Sequence, residues 1–550
     1  MFEAWGRALF HRRHLALWIT VAFVAFAVAW GTGVFSKLSA SDTFTPPASQ
    51  SQRESDLADQ AFGRSEADVV VLYRSKTMTV SNPLYRRAVT GALAGLPHAG
   101  VARTTTYWSS GSADLVSTDR HATYAVLQLT GADDAARQQS YTAIRDDLGA
   151  RQPGTRAIAT TRALIADGIT AEVGGSVPLE TAINDQVTAD IARAEGFSMP
   201  VLLLLLLVIF GSLAAAALPL AIGGIAILGS FTVLRALTLA TPVSVYSVNI
   251  TTILGLGLGL DYALFIVTRF REELRRQPTV EQAVARTVAT AGRTVAVSGT
   301  TVAVALTSLT LFPETFLRSM GYGGVATVAV DVIAALTVLP ALLAVLGHRV
   351  NAVSIRRKVA WPKQEDSGGW YWLANSVMRR PVVYATVIVI GLLALGTPFL
   401  RIQWGGTDAR SLPAASTVRQ VSQQLGSDFP VNSTAPIEVL LTRTASPAAL
   451  TGYLRDIDAV PGVTKARLTG DKANSARIDI GYTPATVSPA ARHIVARIRS
   501  ITPPGGATAL VGGTTAGLVD ELSSLGATLP WMALLVCVST FMLLFLAFGS

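Results

Sequence analysis

An aspartate followed by a tyrosine interrupts one of the most apolar stretches of the sequence. Asp261 and Tyr262 follow the glycine-rich residues 255–260, and the apolar run ends at Arg269, eight residues after the aspartate. In a membrane-spanning helix this places Asp261 about 12 Å inside. A carboxylate at that depth costs at least ~2.5 kcal/mol, and such residues typically mark an ion or proton pathway. We therefore predict a proton relay in which Tyr262 donates a hydrogen bond to a partner carboxylate. A buried Asp that only bonds a neighbour is the alternative.

Three glycines precede the predicted relay on the same run. Gly255 and Gly259 are four residues apart, so they share one helix face and allow a second helix to approach closely. This spacing alone is a weak signal, but it is more specific directly beside an Asp-Tyr pair. We predict that Gly255, Gly257 and Gly259 serve helix packing at the relay.

Other polar residues in apolar runs are candidates for supporting roles. Asp331 is a second candidate proton site, and a packing role with a polar partner is equally compatible with its position. Ser298 could support the relay by a hydrogen bond to Asp261, as could Thr300 and Thr301, although such hydroxyls usually bond their own helix. Asn249 is expected to hold neighbouring helices together.

Several other chemistries lack their sequence signatures. The single cysteine, Cys537, excludes an internal disulfide, and His98, His121 and His493 are scattered without metal-ligand spacing. The chain has neither the phosphate-binding pattern GxxxxGK[ST] nor the nucleophile pattern GxSxG. We therefore predict neither an enzyme nor an ATP-driven pump, and no metal or cofactor, with protons as the coupling ion.

The elements that must position these residues are membrane spans. Half of the 550 residues are hydrophobic and only 15% are charged, which is typical of a polytopic membrane protein. A span needs about 20 apolar residues. Such runs lie near 15–34, 198–211, 213–234, 243–268, 294–312, 320–346, 381–399 and 528–549.

Basic residues predict how these spans are oriented, and they account for the net charge of +9 without a nucleic-acid partner. They cluster before the first run, between the fourth and fifth, and between the sixth and seventh. A cytoplasmic N-terminus puts all three clusters on the cytoplasmic side of the cell (inner) membrane. The predicted cytoplasmic parts are 1–14, the linker 347–380, and 269–293, where 279–292 forms an amphipathic surface helix whose Arg286 and Arg293 meet anionic lipid.

The segments 36–197 and 400–527 then lie outside the membrane and have the patterns of folded domains. Predicted strands cover 69–73, 123–129, 437–441 and 476–482, and predicted helices begin at Asn82-Pro83 and Ser488-Pro489. This mixture favours two α+β domains of the split βαβ, ferredoxin-like kind.

An internal repeat relates the two halves of the chain. Gly174-Gly175 and Gly512-Gly513 each precede a helix and a span, which end at Gly211 and Gly549, 37 residues after the first glycine in both cases. Upstream, Asp42 parallels Asp408. Because both copies run in the same direction, a parallel repeat is expected. Four spans that follow the first copy have no counterpart after Ser550, so we expect a truncated chain whose complete form has twelve spans.

The fourth run with its continuation resembles the MmpL family (mycobacterial membrane protein large) of the RND transporter superfamily. The residues that carry the resemblance are 255–265, 269–274, 291–299 and 336–343, and it extends over the whole chain. It implies an RND fold with porter-type external domains, coupling to the proton motive force, and export of lipids or glycolipids in actinobacteria. It also implies that Asp261 and Tyr262 face a second Asp-Tyr pair on a tenth span.

Alternative functions remain open at this point. An RND-type pump for drugs or small molecules shares the architecture, and fold does not determine substrate. An inactive fragment of a split transporter gene is a further alternative. The expected partners are a hydrophobic substrate and the membrane, with a second-half polypeptide, self-association or accessory membrane proteins as further candidates.

Overall fold

A computed structural model describes most of the chain in eleven segments. They are residues 2–38, 44–64, 67–97, 99–131, 134–148, 168–352, 369–401, 409–429, 435–443, 446–472 and 474–548. Residues 353–368 of the predicted linker, His98, and the repeat residues Asp42, Asp408, Gly549 and Ser550 lie outside the described residues.

Eight described helical stretches are long and apolar enough to cross a membrane, and each coincides with one predicted run. The regular helices within these stretches are TM1 (Arg13–Ala29), TM2 (Ser176–Phe210), TM3 (Leu213–Leu237), TM4 (Tyr246–Arg276), TM5 (Arg293–Thr307), TM6 (Thr315–Ile333, Ala334–Val338 and Leu339–Leu346), TM7 (Pro381–Gly396) and TM8 (Thr514–Phe548), and in TM1, TM5, TM6 and TM7 adjoining helical turns lengthen the stretch. The middle part of TM6 is a π-helical turn. TM2 and TM3 meet at Gly211, whose positive φ of 64° permits the tight turn.

TM3, TM4 and TM6 form the centre of the membrane bundle. Their apolar residues share one buried cluster, in which Ile222 and Phe270 are fully buried. TM5 packs along TM6, and TM8 packs along TM5. TM7 has no buried residue among those described.

The predicted amphipathic segment forms a helix that packs against another helix of the protein. Helix α6 (Val280–Thr287) continues through a π-helical turn into TM5, and its apolar side packs against the N-terminal helix α1 (Phe2–His11). A Cβ at Gly6 would lie 2.8 Å from the Ala285 Cα, so the two helices approach closely. α1 therefore covers the apolar face of α6. Arg286 and Arg293 remain exposed, and their contact with anionic lipid stays a prediction. TM4 stays helical through Arg276, eight residues into the predicted cytoplasmic segment 269–293.

The first external segment forms a four-stranded antiparallel sheet with helices on it. Its elements in chain order are α2 (Gln50–Phe62), β1 (Val69–Ser75), α3 (Pro83–Ala94), β2 (Val101–Thr105), α4 (Tyr107–Ser110), β3 (Ala122–Leu129), α5 (Asp134–Ile144) and β4 (Ile169–Gly174). The strand order is β2-β3-β1-β4, with Val71 opposite Ala125 and Val173.

The second segment repeats this arrangement. After α7 (Gly369–Arg379) and TM7 come α8 (Thr417–Asp428), β5 (Ile437–Thr442), α9 (Pro447–Asp458), β6 (Val463–Lys472), β7 (Ser475–Tyr482), α10 (Pro489–Ser500) and β8 (Thr508–Gly512). The strand order of the second sheet is β6-β7-β5-β8. Each strand has the same place in this sheet as its repeat counterpart has in the first sheet. Both sheets have the strand order of the split βαβ arrangement.

The two domains exchange their leading helices. α8 of the second half packs on the first sheet, where Val421 and Leu425 lie against Val70 and Leu72. α2 of the first half packs on the second sheet, where Ala58 and Phe62 lie against Leu440 and Leu510.

The glycines that mark the sequence repeat lie at these exchanged contacts. A Cβ at Gly174 would lie 2.6 Å from Val421 on α8, and a Cβ at Gly512 would overlap the Glu54 carboxylate on α2. In each domain the exchanged helix therefore approaches the end of the last strand closely, and a side chain there would displace Val421 or the Glu54 carboxylate.

Candidate functional site

TM4 has two opposite faces of different character. Ser247, Thr251, Gly255 and Gly259, spaced four residues apart, form a buried row. Ile253, Gly257, Asp261 and Phe265, also four apart, form an exposed row. Positions two residues apart lie about 200° apart around a helix, which explains the separation. The predicted relay carboxylate Asp261 thus lies on the open face of TM4.

The glycines divide between these faces. A Cβ at Gly255 would lie 3.2 Å from the Thr327 side chain, and one at Gly259 would lie 2.9 Å from the Gly223 Cα. Both glycines therefore let TM3 and TM6 approach TM4 closely. Gly257 differs, because a Cβ there would meet no described atom within 4 Å. Its predicted packing role thus finds no contact within the described chain.

Tyr262 lies near both the carboxylate on the exposed face of TM4 and the carboxylate that packs against its buried face. Its side chain is buried, and its hydroxyl would lie 3.5 Å from a Cβ at Gly299 of TM5. Asp261 and Asp331 both lie close enough to act electrostatically on this hydroxyl, and Ser298 lies beside it. Among the described residues, however, no atom meets the distance and angle criteria for a hydrogen bond with the hydroxyl.

Two of the three TM5 hydroxyls follow the alternative given from the sequence, in which a hydroxyl bonds its own helix. Thr300 donates to the carbonyl of Ala296 at 2.8 Å, and Thr301 donates to that of Val297 at 3.0 Å. These two side chains bond their own helix, so neither supports Asp261. Ser298 lies near Tyr262 instead, at the exposed edge of TM5.

Asp331 occupies the interior of the bundle. It is fully buried on TM6, and neither of its carboxylate oxygens has a hydrogen-bond partner in the described part of the chain. Its Oδ1 would lie 2.7 Å from a Cβ at Gly259, so the carboxylate points at the buried row of TM4. The sequence predicted either a proton site or a packing role with a polar partner, and no such partner lies among the described residues.

Sequence reasoning missed several buried polar residues on TM4, on TM6 and just before TM6. Thr251, Thr327 and Glu314 are fully buried. The two threonines could have been recognised from the sequence, because small and polar residues recur at every fourth position on both TM4 and TM6. Glu314 carries no periodic signal, since it lies just before TM6 begins.

The end of TM4 near α1 has a cavity of about 260 Å³ beside TM5. It begins at Phe265, one turn beyond Asp261, and its lining residues are Phe265, Thr268, Arg269, Glu272, Thr290, Ala291 and Thr294. Arg269 pairs with Glu272 at 3.0 Å and with Glu273 at 2.7 Å. Charged side chains at this opening could pass protons between the exposed row of TM4 and water. No group of three or more potential metal ligands occurs in the described residues.

The sequence profile of the MMPL family matches residues 43–384. Over its whole length the chain is 30% identical to the trehalose monomycolate exporter MmpL3 of Mycobacterium tuberculosis H37Rv and covers 61% of that protein. It is 36% identical to the membrane protein SCO6666 of Streptomyces coelicolor, again over the whole chain, and covers 74% of it. Over 68% of the chain it is 29% identical to the mycolic acid-containing lipids exporter MmpL11 of Mycolicibacterium smegmatis, of which it covers 41%.

Proposed function

The chain belongs to the MMPL family, and from this membership we propose that it exports lipids or glycolipids across the cell membrane, driven by the proton motive force. It is a multi-pass membrane protein, and it spans about three fifths of the length of the mycobacterial MmpL3 exporters that it matches. The names of the relatives support an acylated sugar or a mycolic acid-containing lipid as the substrate.

The observation that carries the proposal is the Asp261-Tyr262 pair in the middle of TM4. Asp261 lies on the open face of the helix, and Tyr262 is buried beside it between TM4 and TM5. A carboxylate within a span is costly when charged, so proton binding there changes how the neighbouring helices pack. In our proposal this change in packing couples the proton gradient to lipid movement.

The connection between the membrane bundle and the domains supports a mechanical coupling. Only Gly175 separates β4 from TM2, and only Gly513 separates β8 from TM8. Each helix has 35 residues, about 52 Å, whereas the hydrocarbon core is about 30 Å thick. A tilt of TM2 or TM8 would therefore move the attached sheet and open or close an apolar path between the domains.

The proposal places the N-terminus and α1 in the cytoplasm and both sheets outside. Basic residues at the helix ends support this orientation, because Arg12 precedes TM1, Arg13 begins it, and Arg275 and Arg276 end TM4. The two sheets lie beyond the other ends of these helices.

A reconstituted system tests the proposal. The purified chain in vesicles, with a trehalose lipid bearing one fluorescent acyl chain, should move the lipid several-fold faster under an imposed pH gradient than after a protonophore collapses that gradient. A quencher added outside the vesicles reports the lipid in the outer leaflet. Equal rates would contradict proton coupling, and movement no faster than in protein-free vesicles would contradict lipid transport by this chain.

A further inference from the structure

TM4 and TM6 meet along a polar seam, which we define by two rows of residues. The TM4 row is Ser247, Thr251, Gly255 and Gly259, and the TM6 row is Ser319, Gly323, Thr327 and Asp331. Both rows repeat every fourth residue, so each forms one ridge of its helix. The rows are in register, with Gly323 against Thr251, Thr327 against Gly255, and Asp331 against Gly259.

Hydroxyl groups follow the seam from its domain end inward. The backbone N–H of Ser244 donates to the Ser319 Oγ at 3.0 Å, and the Thr327 Oγ1 donates to the Gly323 carbonyl at 2.7 Å. The Thr251 Oγ1 is buried and has no partner among the described residues. Successive positions four residues apart are about 6 Å apart along a helix, a distance that one water molecule can bridge.

One buried carboxylate lies at the inner end of the seam, and another lies just before TM6 begins. Glu314, just before TM6, is fully buried, and neither of its carboxylate oxygens has a hydrogen-bond partner within the described chain. Glu521 on TM8 is close enough to interact with it electrostatically. Asp331 lies 17 residues further along TM6, about 25 Å deeper.

The surroundings of Asp331 do not satisfy an ionised carboxylate. TM3 presents Gly223 next to the seam, and TM5 presents Gly299 against Val332, the next residue of TM6. The titratable groups that face this region among the described residues are Asp261 and Tyr262 of TM4. An unpaired charge in such a place is costly, so the neutral, protonated form is favoured.

We propose that Asp331 is a second proton-binding residue and that protons reach it from the domain side along the polar seam, past Glu314 and the Thr251 hydroxyl. This inference rests on the proposed proton coupling and adds a separate site to it. Asp261 binds protons on the open face of TM4, and Asp331 binds them on the buried face. Tyr262, which both carboxylates influence, lies between the two sites.

Infrared difference spectroscopy tests proton binding without any lipid transport. The purified chain in lipid nanodiscs, cycled between acidic and alkaline buffer, should show carbonyl bands of protonated carboxylic acids. Asp331→Asn should lose one component that Asp261→Asn retains, and Asp331→Glu should restore a shifted component. Size-exclusion profiles that match wild type establish that the variants fold. A spectrum of Asp331→Asn that superimposes on wild type would overturn the proposal.

The route is tested by the rate at which the Asp331 component shifts after transfer to deuterated water. Thr251→Val removes the open hydroxyl of the seam and should slow the shift several-fold. Thr252→Val is the matched control, because the Thr252 hydroxyl already bonds the Val248 carbonyl at 3.1 Å, outside the seam. Equal rates in the two variants would contradict this route. Because neither measurement involves a lipid substrate, a failure of lipid export would leave both results standing.

Discussion

At the scale of single residues, the site is organised by the two faces of TM4. Asp261 lies on the exposed row, whereas Gly259 and Asp331 pack against each other at the inner end of the buried seam. A carboxylate inside an apolar run could be recognised from the sequence alone, because its cost in a membrane is high. Whether Asp261 faces the protein interior could not be predicted from the sequence of TM4 alone, since the buried face depends on which other helices pack against TM4. The absence of a hydrogen-bond partner for Asp331 also depends on such long-range contacts.

Gly259→Ala tests the close approach at the seam. The added Cβ would lie 2.7 Å from the Asp331 Oδ1 and 2.9 Å from the Gly223 Cα, so backbone has to move. We expect a loss of about 1–3 kcal/mol, the usual cost of overpacking. Thermal unfolding of the purified chain in detergent measures the loss.

Gly257→Ala is the matched control for this substitution. It makes the same chemical change two residues away, where no described atom lies within 4 Å of the new Cβ. Its unfolding temperature should equal or slightly exceed that of wild type, because alanine favours a helix over glycine. Equal unfolding temperatures for the two variants would show that TM4 does not pack as described.

At the scale of elements, local patterns predicted the central strands and the spans, and they failed where contacts are distant. Buried runs located β1, β3, β5 and β7 within one or two residues. The edge strands β2, β4, β6 and β8 were all missed. In β2 and β6 most side chains are exposed, so no apolar alternation marks them. The exchange of α2 and α8 could not be predicted either, because each pairs with a sheet hundreds of residues away.

The two exchanged helices bury different side chains at equivalent places. Val421 of α8 packs against Gly174, whereas Glu54 of α2 packs against Gly512. Burial and the neighbouring Glu438 carboxylate raise the pKa of Glu54 from 4.5 to about 8, against the opposing effect of Arg477. Valine at the equivalent position shows that this packing does not require a carboxylate.

Glu54 makes the docking of α2 sensitive to pH. Between pH 4.5 and about 8 the folded protein holds a proton on Glu54 that the unfolded chain releases. Stability therefore falls as pH rises through this window, and the full cost of the buried charge is present above about pH 8. Glu54→Gln should remove this dependence and raise the unfolding temperature most in alkaline buffer.

Unfolding temperatures of wild type and Glu54→Gln, measured from pH 4.5 to above pH 8, test this pH dependence. Glu172→Gln is the control, since that carboxylate lies at the other exchanged helix and is partly exposed, with the Gln424 amide donating to it at 3.4 Å. Its pH profile should follow that of wild type. A profile for Glu54→Gln that also parallels wild type would show that Glu54 does not titrate in this window.

At the scale of the whole molecule, the repeat determines the architecture. Both sheets have the same strand order, each packs against a helix from the other half, and each connects to a span through one glycine and a 35-residue helix. The sequence predicted the repeat from its spaced glycines. It did not show that the halves are joined by exchanged helices, through which movement of one domain would pass to the other.

The proposed orientation is testable with thiol labelling. Cys537→Ser removes the single cysteine of the chain. In that background, a membrane-impermeant thiol reagent added to intact cells should label Ser427→Cys, at the exposed end of α8, and should not label Arg286→Cys, on the exposed side of α6. Permeabilised cells should label both variants. The reverse labelling pattern in intact cells would show that the sheets lie in the cytoplasm.

The measurement that tests the central claim most directly is lipid export by Asp261→Asn in the native host. Asparagine keeps the size of the side chain but cannot take up and release a proton at neutral pH, and Asp261→Glu serves as the matched variant that can. With equal amounts of protein in the membrane, we predict that Asp261→Asn exports no lipid above the deletion strain and that Asp261→Glu retains measurable export. Export by Asp261→Asn at the wild-type rate would contradict the claim that proton binding at Asp261 drives this transporter.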